Sequence, residues 1–344
     1  MIAGASLRGP LATIDALRGR TLRLVGPLAP RLLRDRERRV AAYGLVAIAL
    51  ALALTYAAPV GLLTAGPLVL GVPHLVADVR YLVARPGLHR RAGFWLCVAA
   101  PACLAFVEPR AWVSTSAIAG AALVARARLA WRVPVALGGV ALALVCLRLG
   151  RVADVALAHA HNAVAIGLFV LWSRRRTRLY ASVVAGFVLV AVAIALGALD
   201  GGPAARLVAG DADGALLDAL APLADPALAA RAVLVFAFAQ SVHYAVWVRL
   251  VPEEDRPRPG LRSFSSSLRA LAHDLGRPVV VLAGLAALGL AAWGAFALAS
   301  ARHGYLRLAI FHGPLELGAA TLLLLEGRGR VRGGPLAIGS RAGT

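Results

Sequence analysis

Residues 40–58 read VAAYGLVAIALALALTYAA, and residues 59–84 continue as PVGLLTAGPLVLGVPHLVADVRYLVA. The first stretch carries no charged side chain. At about 1.5 Å of rise per residue its length matches the roughly 30 Å hydrocarbon core of a bilayer. Working outward with the same criterion, apolar runs of spanning length fall at 40–58, 59–84, 93–107, 109–125, 133–149, 152–173, 178–199, 228–250, 278–299 and 303–326. The third and fourth are short and read equally as one re-entrant pair, which leaves the topology of everything after them unchanged.

Composition agrees. Hydrophobic residues make up 60% of the 344 and charged residues 16%, with a mean hydropathy of +0.76; a water-soluble surface cannot be built from this mixture. The prediction is an all-α, polytopic membrane helix bundle of about ten transmembrane helices. A basic arm (1–39) precedes the helical domain (40–326) and a basic tail (327–344) follows it.

All 37 basic residues are arginine, giving a formal net charge of +20. They form short clusters between apolar runs instead of one stripe, which argues against nucleic acid and for loops at an anionic membrane surface. With the N-terminus inside, 30 of the 37 fall on the inner side, so both termini are expected to be cytoplasmic and the protein to reside in the cell inner membrane. The expected outer loop 200–227 is instead rich in aspartate (Asp200, Asp211, Asp213, Asp218, Asp225). The arm has no apolar core of a cleavable signal peptide. Leu11, Ile14, Leu17, Thr21 and Leu24 recur there at helical spacing beside Arg18, Arg20 and Arg23, which predicts a basic amphipathic helix on the headgroups. Cys97, Cys103 and Cys146 lie inside apolar runs without CxxC spacing and read as small hydrophobes.

An ionisable side chain at membrane depth is expensive and marks a candidate site. Four predicted spans carry histidine inside the apolar run: His74, the pair His159 and His161, His243, and His312. Their depths differ by about 10 Å at helical rise, a spread that tilt can absorb, so one shared metal site is geometrically possible. His159 and His161 point to nearly opposite sides of a helix; His161, deeper and followed by Asn162, is favoured. Asp78 and Glu316 each follow a histidine by four residues and could orient it. The simpler alternatives are helix-to-helix hydrogen bonds for each histidine and an ion pair of Asp78 with Arg80 or Arg249. Gln240 and Tyr244 flank His243 and either donate to a bound oxygen species or pair between helices. An imidazole set without thiolates suits Fe(II) or copper better than magnesium or calcium. Such an iron, set in lipid, would meet an apolar, lipid-soluble substrate delivered from the bilayer. The HxxxH and HxxHH clusters of the membrane desaturases are missing.

The segment GVPHLVADVRY, with Gly71, Pro73, His74 and Asp78, resembles the early-span motif of the Brp/Blh family of membrane β-carotene 15,15′-dioxygenases. HYAVW, with His243 and Trp247, is similar to that family's late segment. The sequence departs from the family at Leu75 and Val79, and no second histidine follows His243 at four residues. The resemblance implies a dioxygenase with a non-haem iron held by His74, His161 and His243, Asp78 supporting them, and oxidative cleavage of a carotenoid-like substrate at a central double bond; His312 joins this set on depth alone. Two other readings stay open. A haem b electron-transfer protein would need two facing histidines. A transporter would use the histidines and carboxylates as a proton or substrate path, with Pro73 and Pro314 breaking its helices.

Overall fold

The structure is a computed structural model that describes residues 8–24, 26, 34–173, 178–204, 219–222, 225–256, 260 and 262–327. Asp211, Asp213 and Asp218 of the expected outer loop, and the tail from 328, lie outside the described residues. No strand occurs among those described. In chain order the helices are α1 (Arg8–Leu24), α2 (Arg36–Ala57), α3 (Pro59–Ala84), α4 (Ala92–Val107), α5 (Ala111–Val124), α6 (Leu129–Leu149), α7 (Arg151–Trp172), α8 (Arg178–Ala195), α9 (Pro226–Glu254), α10 (Phe264–Leu275), α11 (Arg277–Phe296), α12 (Leu298–Ala309) and α13 (His312–Glu326).

Eight helical stretches are long and apolar enough to cross a membrane: α2, α3, α6, α7, α8, α9, α11, and α12 with α13 taken as one from Leu298 to Glu326. The chain is a multi-pass membrane protein. The two short expected spans are the helices α4 and α5; the 14 residues of α5 rise only about 21 Å, short of the hydrocarbon thickness. None of the residues of α11 is buried, and Leu282, Leu288 and Phe296 stand exposed along it. One face of α11 rests on its neighbours, with Trp293 against Gly304 and Gly294 against Leu68, and the apolar remainder is a surface fit for lipid.

Local signals explain the boundaries. The Asp35 carboxylate accepts from the Arg38 amide at 2.9 Å and starts α2, and Asp225 accepts from Ala227 and Leu228 to start α9, with Pro226 in the first turn. The expected span 303–326 begins earlier, at Leu298, and is interrupted at residues 310–311. Pro314 has no N–H to give the carbonyl of Ile310, so the helical ladder lapses there.

The stretch 252–277, between the expected spans 228–250 and 278–299, is largely helical. α9 runs on to Glu254, and Ser263 caps α10 by accepting from the Ser266 amide. Phe264, Leu268, Leu271 and Leu275 share one face of α10 at helical spacing. The expected amphipathic helix of the arm is present as α1 and pairs with α10. Asp15 accepts from the Phe264 amide at 3.0 Å, and Arg18 donates to the Arg262 carbonyl at 3.0 Å.

The chain divides into two compact units, Met1–Ala77 with Val155–Ala309, and Asp78–Asp154 with Ile310–Thr344. In the first, α2, α8 and α9 pack on one another. At their ends lies a buried ionic cluster: Glu253 accepts from Arg39 Nε at 2.9 Å and from Arg256 at 2.8 Å, and the Tyr180 hydroxyl donates to Glu254 at 2.6 Å. In the second unit α5 packs on α6 and α13. Gly120 makes a close approach possible, since a Cβ there would stand 2.1 Å from the Cys97 carbonyl oxygen. Arg91 pairs with Glu326 at 2.9 Å in the same unit.

A candidate metal centre of buried histidines

Three helices of the first unit bring histidines together. His74 enters from α3, behind Pro73; His161 from the middle of α7; His243 from α9. His74 and His243 are only 1% and 2% exposed. Their Nε2 atoms stand 3.2 Å apart, and the ring of His161 lies 4.7 Å from that of His243, centroid to centroid. The ring of Tyr244 closes on His74 at 5.1 Å.

The second nitrogen of His74 decides what this arrangement can do. Nδ1 lies 3.2 Å from the carbonyl oxygen of Gly71. A carbonyl has no proton to offer, so that contact places the hydrogen on Nδ1 and leaves the lone pair on Nε2. A ligating histidine is oriented in this way, by an acceptor behind the ring. Two nitrogens each about 2.1 Å from one ion stand roughly 3.0–3.4 Å apart at angles between octahedral and tetrahedral. The observed separation falls inside that window, and the donor set is all imidazole, without thiolate. The residues present therefore fit a nitrogen-liganded transition metal.

The remaining expected site residues are placed as follows. Of the pair on α7 it is His161 that meets His243; the Nε2 of His159 lies 2.8 Å from the Leu220 carbonyl and its ring stacks edge-on against Phe236. This corrects the assignment of His159 as a ligand: a two-residue step on a helix turns its imidazole away. Asn162 is buried and donates within its own helix, to the Ala158 carbonyl at 3.4 Å. Gln240 is half-buried, three residues before His243. Asp78, His312 and Glu316 belong to the second unit. There Asp78 and Glu316 are fully buried, with carboxylate oxygens within 4.8 Å of one another. His312 precedes Glu316 by one turn of α13. Two carboxylates that close can share a cation. The described residues thus include buried histidine and carboxylate groups that could hold a metal ion. Arg249, a suggested partner of Asp78, stacks over the Tyr43 ring at 4.0 Å.

Sequence reasoning passed over two features here, the π segments and Tyr305. Helix α3 widens into a π-helix over Val79–Ala84, directly after Asp78, and α9 does the same over Val246–Leu250, just after His243. Such π segments concentrate at functional positions. Tyr305, on α12, reaches His74 with its hydroxyl 3.4 Å from Nδ1. Trp247, one turn beyond His243, is fully buried, and its indole N–H has no hydrogen-bond partner among the described residues. Trp247 was legible in HYAVW, whereas Tyr305 stands among Arg302, His303 and Arg307 and has no such mark.

No protein-family profile, curated protein or solved structure matches this chain.

Proposed function

We propose that this chain is a membrane-embedded non-haem iron oxygenase whose ion is held by His74, His161 and His243 and whose substrate is an apolar, isoprenoid or carotenoid-like molecule entering from the bilayer. The observation that carries the metal reading is the 3.2 Å approach of two Nε2 atoms, with the Gly71 carbonyl behind His74. Iron and the substrate class rest on the all-nitrogen donor set and on the likeness of GVPHLVADVRY and HYAVW to the Brp/Blh family.

Each side chain has a distinct task. The Gly71 carbonyl accepts from Nδ1 of His74, and Tyr244 walls the imidazoles on one side. The surrounding helices bury His74 and His243. Ferrous iron, when bound there, would activate dioxygen toward the double bond, whose own electrons reduce the dioxygen as two carbonyls form. The Nε2 atoms of His74 and His243, 3.2 Å apart, leave no room between them for a haem and suit a single ion.

The one competing reading favoured by a specific contact is a proton path. Without an ion, the same 3.2 Å separation is a hydrogen bond in which one Nε2–H donates to the other Nε2. Metal analysis with an optical spectrum of the detergent-purified protein separates the two. About one iron per chain and no Soret band is expected, followed by oxidative cleavage in a carotenoid assay. A preparation without metal or chromophore after mild purification overturns the oxygenase and leaves the proton path.

A further inference from the structure

Gly71, His74 and Tyr305 form a closed group in the first unit. Tyr305 is 2% exposed and approaches α3 from α12. A Cβ on Gly71 would stand 2.3 Å from Cζ, 2.4 Å from Cε2 and 2.6 Å from Oη of the tyrosine. The phenol end of the ring therefore lies flat on the backbone of α3, at a place only glycine leaves open. The same glycine presents its carbonyl to His74 Nδ1 at 3.2 Å, and the tyrosine hydroxyl stands 3.4 Å from that nitrogen.

We propose that Tyr305 is a positioning residue for His74: seated on Gly71, its hydroxyl shares the Nδ1 proton with the Gly71 carbonyl and keeps the Nε2 lone pair turned toward His243. This rests on the metal reading above for its purpose, though not for its geometry. An imidazole has two neutral tautomers. A lone carbonyl acceptor at 3.2 Å holds Nδ1–H only weakly, and a second acceptor beside it makes the donation a shared one. With the proton kept on Nδ1, Nε2 is a ligand. With the proton moved to Nε2, it is a donor that blocks a metal. The tyrosine thus acts on ligand capacity from the far side of the ring, and outer partners of ligating histidines are worth about 10- to 100-fold in metal affinity.

Two readouts on the full-length protein test this. In metal-free protein with ¹⁵N-histidine, assigned by comparison with His74→Ala, the His74 resonances should report Nδ1–H in the wild type and a mixture of tautomers in Tyr305→Phe, which keeps the ring on its seat. Gly71→Ala, which pushes the phenol off α3, should give the same mixture. In a parallel cobalt(II) titration, Tyr305→Phe should bind at least about 10-fold more weakly than the wild type, with a shifted ligand-field spectrum. Unchanged nitrogen shifts in Tyr305→Phe overturn the inference, as does a cobalt affinity equal to that of the wild type. Failure of the wild type to bind cobalt, with the tautomer still shifting, overturns the metal reading and leaves the positioning role in place.

Discussion

The Nε2 atoms of His74 and His243 stand 3.2 Å apart although 169 residues separate them in the chain. Neither ring tolerates this pairing unless a proton or a cation lies between the two lone pairs, and the carbonyl behind His74 leaves its Nε2 without a hydrogen.

Replacing either histidine with alanine should therefore empty the site. His74→Ala and His243→Ala are each expected to lower iron from about one per chain to near zero, while His159→Ala, whose imidazole faces the Leu220 carbonyl, should retain it. Metal content and yield from the membrane fraction are the measurements. Full occupancy in both site variants would show that these imidazoles are not ligands.

A bound ion also adds its binding free energy to folding. Chelation should lower the unfolding temperature of the wild type in detergent and leave that of His243→Ala where it already stands. An equal shift in both would place the chelator's target elsewhere.

The ionic cluster at Glu253 makes a prediction about stability alone. Glu253→Ala strands the buried Arg39 and Arg256 guanidiniums, and breaking a buried pair on one side costs about 3–5 kcal/mol. The double variant Arg39→Met, Glu253→Leu should recover a large part of that loss in a detergent-denaturation titration. A Glu253→Ala protein as stable as the wild type would mean that water reaches the cluster.

Gly120→Val tests the packing of α5 in the second unit. Its new Cβ would meet the Cys97 carbonyl oxygen at 2.1 Å, and overpacking of this kind costs about 1–3 kcal/mol. Gly138→Ala, which meets nothing within 4 Å, is the matched control and should be neutral in the same titration.

The helices were legible because lipid imposes a length and a polarity on every span, and the run from Val40 to Ala84 satisfies both without reference to the rest of the chain. The histidines were legible for the same reason: an imidazole in such a run is conspicuous. That only one of His159 and His161 faces a common site followed from helical rotation, and depth together with the adjacent Asn162 chose His161. What escaped was set by distant packing. Tyr305 reaches His74 across 231 residues and Arg39 reaches Glu253 across 214, and neither pair shares a local pattern. The amphipathic helix α10 was readable in principle, from Ser263 and the spacing of Phe264, Leu268, Leu271 and Leu275. The π segments have no residue signature, since they arise where tertiary contacts favour one extra residue in a turn.

Those widened turns carry a consequence for how the protein can change. In α9 the π segment Val246–Leu250 lies between His243 and Glu253 and takes up one surplus residue within a widened turn, so that the two ends of the helix stay in phase. Removing a residue from the α-helical turns around it would instead rotate Glu253 by about 100° about the helix axis, away from Arg39, while His243 kept its neighbours. The widened turn is thus the place where α9 tolerates a change of length without parting its histidine half from its ionic half.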